Sequence, residues 1–194
     1  MESFVLDFHS VVDLTDDQFF RLCQKNRDLR IERTASGEII VMPPTGGDSG
    51  HSNFRLSQQL ANWTDDHDGL GLGFDSSMGF NLPNGASRSP DAAWVARTRW
   101  ESLTPEQRQK FPPLCPDFVV ELKSPTDRLR TLQAKMCEYI ANGAALGWLI
   151  NLEERTVEIY RPRKEVEILI KPTEVSADPL LPSFVLRLAP IWGA

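Results

Sequence analysis

The chain has 194 residues, 41% hydrophobic and 25% charged, with a formal net charge of −6. These proportions suit one globular domain over residues 1–194, with core enough to fold without a metal or cross-link. They exclude a protein that coats nucleic acid through bulk positive charge, but not a metal enzyme, whose ligand carboxylates are acidic until a divalent ion reverses the local sign.

No apolar run approaches the ~20 residues of a membrane-spanning helix. The opening MESFVLDFHS has no basic stretch ahead of a long apolar one, so no signal peptide is expected and the cytoplasm is the expected compartment. Cys23, Cys115 and Cys137 show no CxxC spacing, which argues against a disulfide framework or a zinc site. Cys23 and Cys137 fall in apolar helical patterns and are expected to be buried and inert.

In chain order, Thr15 to Asn26 reads as a helix, with Thr15 as cap, Gln18 three positions on, and Phe19, Leu22 and Cys23 at helical spacing. Residues 29–42 read as a hairpin turning at Ala35-Ser36-Gly37, followed by a Pro- and Gly-rich loop. Ser49 to about His67 reads as a second helix with Leu56, Leu60 and Trp63 on one stripe. Glycine-rich strands follow at 70–82, a strand at 89–96, and a short helix opened by Thr104-Pro105-Glu106. The segment at 116–124 reads as a strand buried on both faces, and a helix from about Arg128 to Asn142 ends at Gly143. Strands follow at ALGWLINL, TVEIYRP, EVEILIKP and FVLRL. The strand–helix–strand unit around 116–152 predicts a parallel crossover within a mixed sheet. The expected architecture is therefore α/β: one central mixed sheet flanked by helices, with an N-terminal helix and β-hairpin.

Two segments carry chemistry. Ser89-Pro90-Asp91 opens one strand, and Glu121-Leu122-Lys123 ends another. Alternate strand residues share a face, so Glu121 and Lys123 project together. With Asp91 from a neighbouring strand, Glu121 has the makings of a Mg²⁺ or Mn²⁺ site, since such ions take one or two carboxylates and keep several waters. The ion would acidify a water and polarise a phosphate, and Lys123 would position that water or stabilise developing charge. Asp117 lies at the opposite end of the Glu121 strand and makes a poor partner. Taken alone, Asp91 also reads as a turn residue and the Glu-x-Lys as a surface ion pair.

RSPDAAWV, then PDFVVELKSPTD, then QAKMCEYIANGAALGWLINLEERTVEIYRP, together with RIERTASGEIIVMPPTG and a following His51, resemble the Uma-type restriction endonuclease family over roughly residues 15–190. The resemblance implies a restriction-endonuclease-like fold of the PD-(D/E)XK superfamily and metal-dependent phosphodiester cleavage. By that likeness Asp91 stands at the PD position, Glu121 at the second acid and Lys123 at the lysine of the E-x-K element. The superfamily often adds an acid from an early helix. The helix at 49–67 has no glutamate, and Glu32 on the hairpin resembles a recurring family glutamate that would serve instead. Its auxiliary Q-x-x-x-Y element is met here by Lys135 and Tyr139. The implied partners are double-stranded DNA and, for cutting both strands, a second copy of the chain. The apolar LRLAPIWGA segment, with Trp192, is the candidate interface.

The competing reading is a nuclease fold that binds nucleic acid or a protein without cutting. Arg88, Arg97, Arg99, Arg108, Lys110, Arg128 and Arg130 flank the two motifs and form either a phosphate-contacting rim or an ordinary solvated surface.

Overall fold

The structure, a computed structural model, describes residues 4–8 and 11–193. Part of the stretch read for a leader therefore lies outside the described residues. No helix among them is long and apolar enough to cross a membrane.

After β1 (Phe4–Leu6), helix α1 (Asp16–Lys25) forms where its capping signal stands. Thr15 Oγ1 accepts from the Gln18 N–H, and Gln18 Oε1 accepts from the Thr15 N–H, satisfying two donors the helix itself leaves orphaned. The hairpin β2 (Arg30–Arg33) and β3 (Ile39–Met42) follows. Helix α2 (Gly47–Asp66) starts at Gly47 rather than Ser49 and buries Leu56, Leu60 and Trp63. The glycine-rich region gives β4 (Gly71–Asp75) and β5 (Phe80–Asn81), then β6 (Ser87–Arg88) and β7 (Ala92–Ala96). Helix α3 (Arg97–Glu101) has no cap or periodicity to announce it, whereas α4 (Pro105–Arg108) carries a complete Thr104–Gln107 capping box. The rest runs β8 (Phe118–Lys123), α5 (Leu129–Ala141), β9 (Leu146–Asn151), β10 (Thr156–Tyr160), β11 (Glu167–Ile170), β12 (Glu174–Ser176) and β13 (Val185–Arg187).

A six-stranded sheet has the order β11-β10-β9-β8-β7-β4. Strand β8 is parallel to β9 through α5 and antiparallel to β7, so the predicted crossover sits inside a mixed sheet. Every residue of β8 and β9 is buried. Leu56, Leu60 and Trp63 of α2 pack with Phe118, Val120 and Trp148 under one face, and Met136 and Tyr139 of α5 pack with Val119 and Leu149 over the other.

Beside the central sheet, the hairpin belongs to a second sheet, of order β1-β3-β2-β6-β5, and β12 pairs with β13 in a third. The two-residue strand β6 joins the hairpin to the region before β7, pairing Arg33 with Ser87. Its brevity gives no period-2 signal, so the sequence hides it. This junction brings Glu32 beside the central sheet.

Two expectations need correction. Cys137 is exposed and Cys23 half-buried, because α5 buries the side of Met136 and Tyr139. The C-terminal segment does not offer an apolar interface: Leu188 and Ile191 are fully buried in the chain's own core, and Trp192 packs on it with Nε1 donating to the Pro172 carbonyl. Four of the basic residues that flank the motifs have acidic partners within the chain: Arg88 with Glu32 and Glu138, Arg97 with Asp68, Arg99 with Asp117, and Lys110 with Asp17 and Glu106.

Candidate active site

Strands β7 and β8 run antiparallel with Ala92 opposite Val120. One step further along that register, Asp91 faces Glu121. Asp91 Oδ2 accepts from the Leu122 N–H at 2.8 Å, which fixes the carboxylate against the end of β8. Its Oδ1 accepts from Arg30 Nη1 and Nη2, both at 3.3 Å, and from Asn53 Nδ2 at 3.2 Å. Asp91 and Glu121 both line a cleft of about 820 Å³, together with Arg30, Asn53, Lys135 and the N-terminal turn of α2.

Glu121 is 3% exposed. Its Oε1 accepts from the Tyr139 hydroxyl at 3.0 Å and forms an ion pair with Lys135 Nζ at 2.8 Å. Lys135 also reaches Glu32 Oε1 at 2.8 Å, so one ammonium bridges two buried acids. Glu32 accepts in addition from the Ser89 N–H at 2.9 Å and pairs with Arg88 at 3.2 Å. Arg88 continues to Glu138 of α5 at 2.6 Å. The hairpin, the loop before β7, the end of β8 and α5 are thus tied together by buried charge. A satisfied network of this kind is costly to break at any one member.

Lys123 shares the face of Glu121, as alternation requires, but it does not line the cleft. Its ammonium pairs with Glu153 at 2.6 Å and donates to the Ser124 carbonyl at 3.2 Å. The Glu153 side chain is 51% exposed, so this pair is a tether at the cleft's edge. His51 is exposed on the cleft wall. Asp117, at the far end of β8, caps the Ala96 N–H and pairs with Arg99.

Charge is unevenly matched within the cluster. Burial pushes the Glu121 carboxyl up; Lys135 opposes, Asp91 and Glu32 add to the rise, and the result is about 7. Burial also pushes Glu32 up, but Lys135 and Arg88 outweigh it and hold that carboxyl at about 2. Lys135 stays protonated, because Glu121 and Glu32 overcome its burial. Burial and the neighbouring acids push the Tyr139 phenol well above its ordinary range, so it serves as a donor and not as a base.

The structure brings Asp91, Glu121, Lys135 and Glu32 into one cluster and leaves Lys123 at its margin. Sequence reasoning missed Arg30 and Asn53. Arg30 stands two residues before Glu32 on β2, so the alternation that links Glu121 to Lys123 also links these two. Asn53 extends the Leu56–Leu60–Trp63 stripe by one turn toward the helix start, where it meets Asp91. The early helix thus brings Asn53 to Asp91, with Asp48 of its first turn also on the cleft wall.

The sequence model of the Uma2 family, described as "Putative restriction endonuclease", matches residues 16–189. Among solved structures, a "putative nuclease belonging to DUF820" from Anabaena variabilis superposes with a TM-score of 0.76 at 20% identity, covering 93% of this chain and 98% of that one. The fold is thus the restriction-endonuclease-like α/β fold. No match was found among proteins of curated function.

Proposed function

The chain belongs to the Uma2 family, and from that premise we propose that it hydrolyses nucleic-acid phosphodiester bonds, with double-stranded DNA as substrate and Mg²⁺ or Mn²⁺ as cofactor. The observation that carries this reading is the convergence of Asp91 and Glu121 from neighbouring strands on one cleft. The donor set suits a hard divalent cation: carboxylate oxygens on rigid strands, with room for waters. Asp91 and Glu121 would be its two carboxylates: no group of three or more metal-ligating side chains forms among the described residues, and such ions take one or two carboxylates and keep several waters.

Asp91 and Glu121 would hold the ion, which when bound supplies a polarised phosphate and an acidified water. The remaining work belongs to the chain. The Leu122 N–H fixes Asp91, and the Tyr139 hydroxyl fixes Glu121. Lys135, held in place by Glu32, presents a permanent positive charge at the cleft wall for the charge that develops on phosphate. Lys123 is assigned the orientation of the attacking water, exchanging its half-exposed partner Glu153 for that role. A second copy of the chain is the expected partner, since cutting both strands of a duplex takes two sites. With the C-terminal segment buried, the exposed Ile168 and Ile170 of edge strand β11 are the surface assigned to it. The cytoplasm is the proposed compartment.

The test is calorimetric titration of Mn²⁺ into wild type, Asp91→Ala and Glu121→Ala, with plasmid cleavage in Mg²⁺ run alongside. Binding and cleavage are expected in the wild type and in neither variant. A wild type that takes up no Mn²⁺, with or without DNA, would sink the metal site. The alternative, a nuclease fold that binds without cutting, draws on the fact that Arg30, Asn53 and the Leu122 N–H already engage both oxygens of Asp91. DNA binding with no metal-dependent cleavage would favour it.

A further inference from the structure

Arg30 opens the RIERTASGEIIVMPPTG segment and lines the cleft, yet the sequence assigned it no role. Its guanidinium reaches Asp91 with two nitrogens on a single oxygen, both at 3.3 Å, while Nη2 also donates to the Ser89 carbonyl at 2.8 Å. A guanidinium matched to a carboxylate places one nitrogen on each oxygen at about 2.7–2.9 Å. Here the fork is off-register and long. Its Nε–H has no hydrogen-bond partner, a feature shared with Arg33, Arg97 and Arg108, so the off-register fork and not the free Nε–H marks this site. The side chain is 29% exposed and lines the cleft beside Glu121 and Lys135. A planar, permanently charged fork suits a phosphate better than does the point charge of a lysine.

The geometry points to Arg30 as a phosphate-binding residue of the cleft, held on Asp91 only until a divalent cation takes that carboxylate. This rests on the reading that Asp91 and Glu121 share a cation. In the metal-free protein Arg30 supplies Asp91 with a counter-charge. When a cation claims Asp91, the long contacts are given up, and the fork, still anchored through the Ser89 carbonyl, turns its freed donors to a backbone phosphate of the bound strand. Asp91 thereby couples cation binding to substrate binding, and each promotes the other.

The experiment uses Arg30→Met and Arg30→Lys, with folding checked by circular dichroism and thermal melting. Mn²⁺ affinity is read by titration without DNA. Affinity for a fluorescein-labelled 25-base-pair duplex is read by anisotropy with and without Ca²⁺. In the wild type Ca²⁺ is expected to raise duplex affinity by about tenfold or more, within the usual range of coupling between sites. In Arg30→Met that gain falls below about threefold, while Mn²⁺ binds several-fold more tightly because the competing charge is gone. Arg30→Lys keeps the charge without the fork and gives an intermediate gain. A wild-type gain in Arg30→Met, or weaker Mn²⁺ binding there, overturns the proposal and leaves Arg30 as a brace for Asp91. A wild type that binds no Mn²⁺ overturns the underlying cation reading instead, and this proposal with it.

Discussion

The chain contains two Pro-Asp dipeptides that lead into adjacent strands of the same sheet, and the structure gives them opposite surroundings. Asp117 stands before β8, where one carboxylate oxygen takes the Ala96 N–H and the other takes Arg99, both at 2.8 Å. It is matched and has no other acid bonded into its group. Asp91 stands before β7, at the other end of the antiparallel pair. Its Oδ2 is equally well fixed by the Leu122 N–H, but its Oδ1 is shared among three long contacts. Glu121 and Glu32 belong to the same charged cluster. The dipeptide is the same; what differs is how closely the partners fit the carboxylate. Where they are close and one to an oxygen, the aspartate holds a corner of the fold. Where they are long and crowded on one oxygen, the proposed cation would find its ligand.

Substitution at both positions is the strongest way to break this comparison. Asp91→Ala is expected to lower kcat/KM for plasmid cleavage by at least about a thousandfold, since a bound metal supplies several kcal/mol of transition-state stabilisation. Asp117→Ala is expected to leave cleavage of the folded protein unchanged but to destabilise it by ~1 kcal/mol, the lower end of the cost of orphaning an N–H, since that of Ala96 is only partly buried. Equal loss of activity in the two variants would erase the distinction. Next in size is Lys135→Met. It leaves Glu32 and Glu121 facing each other without their shared ammonium, and one-sided removal of a buried ion pair costs ~3–5 kcal/mol. Because Arg88 and the Ser89 N–H still serve Glu32, the lower end is expected from urea denaturation. A change within error of zero would mean that the bridge contributes nothing to the fold.

Most of this was legible in the sequence where a residue's neighbours in space are also its neighbours in pattern. The capping box at Thr15, the two-faced burial of β8, the stripe of α2 and the alternation of Glu121 with Lys123 are local facts, and the structure keeps them. The partners of Lys123 and Lys135 are not local. Both lysines lie near the motif, yet the crossover helix aims Lys135 at the acids while the β9–β10 turn offers Glu153 to Lys123. The second sheet depends on β6, two residues long, and without it nothing in the spacing places Arg30 next to Asp91. Cys137 and the C-terminal segment misled for a related reason: apolar composition says that something is buried, but not which side of a helix or which surface does the burying.

The smallest expected effect bears on the same cluster from the stability side. Glu121 is raised from 4.5 to about 7 in the folded chain, so between those values the folded state holds a proton that the unfolded state has released. Stability therefore declines as pH rises through that window, and the full cost is present above it. Glu121→Gln removes the ionisation while keeping an oxygen to accept from Tyr139. In EDTA it is expected to match the wild type at pH 4.5 and to exceed it by ~1–2 kcal/mol at pH 8, the sort of gain obtained when a strained functional site is relaxed. Added Mn²⁺ should close the gap by stabilising the wild type alone, because only the ionised carboxylate rewards the ion. Glu32 is shifted the opposite way, to about 2, so its stabilisation is present above pH 4.5 and lost only as pH falls toward 2, outside the range compared. A Glu121→Gln protein no more stable than wild type at pH 8 would show that Lys135 already balances the cluster, and the contrast between Asp91 and Asp117 would then lose its electrostatic half.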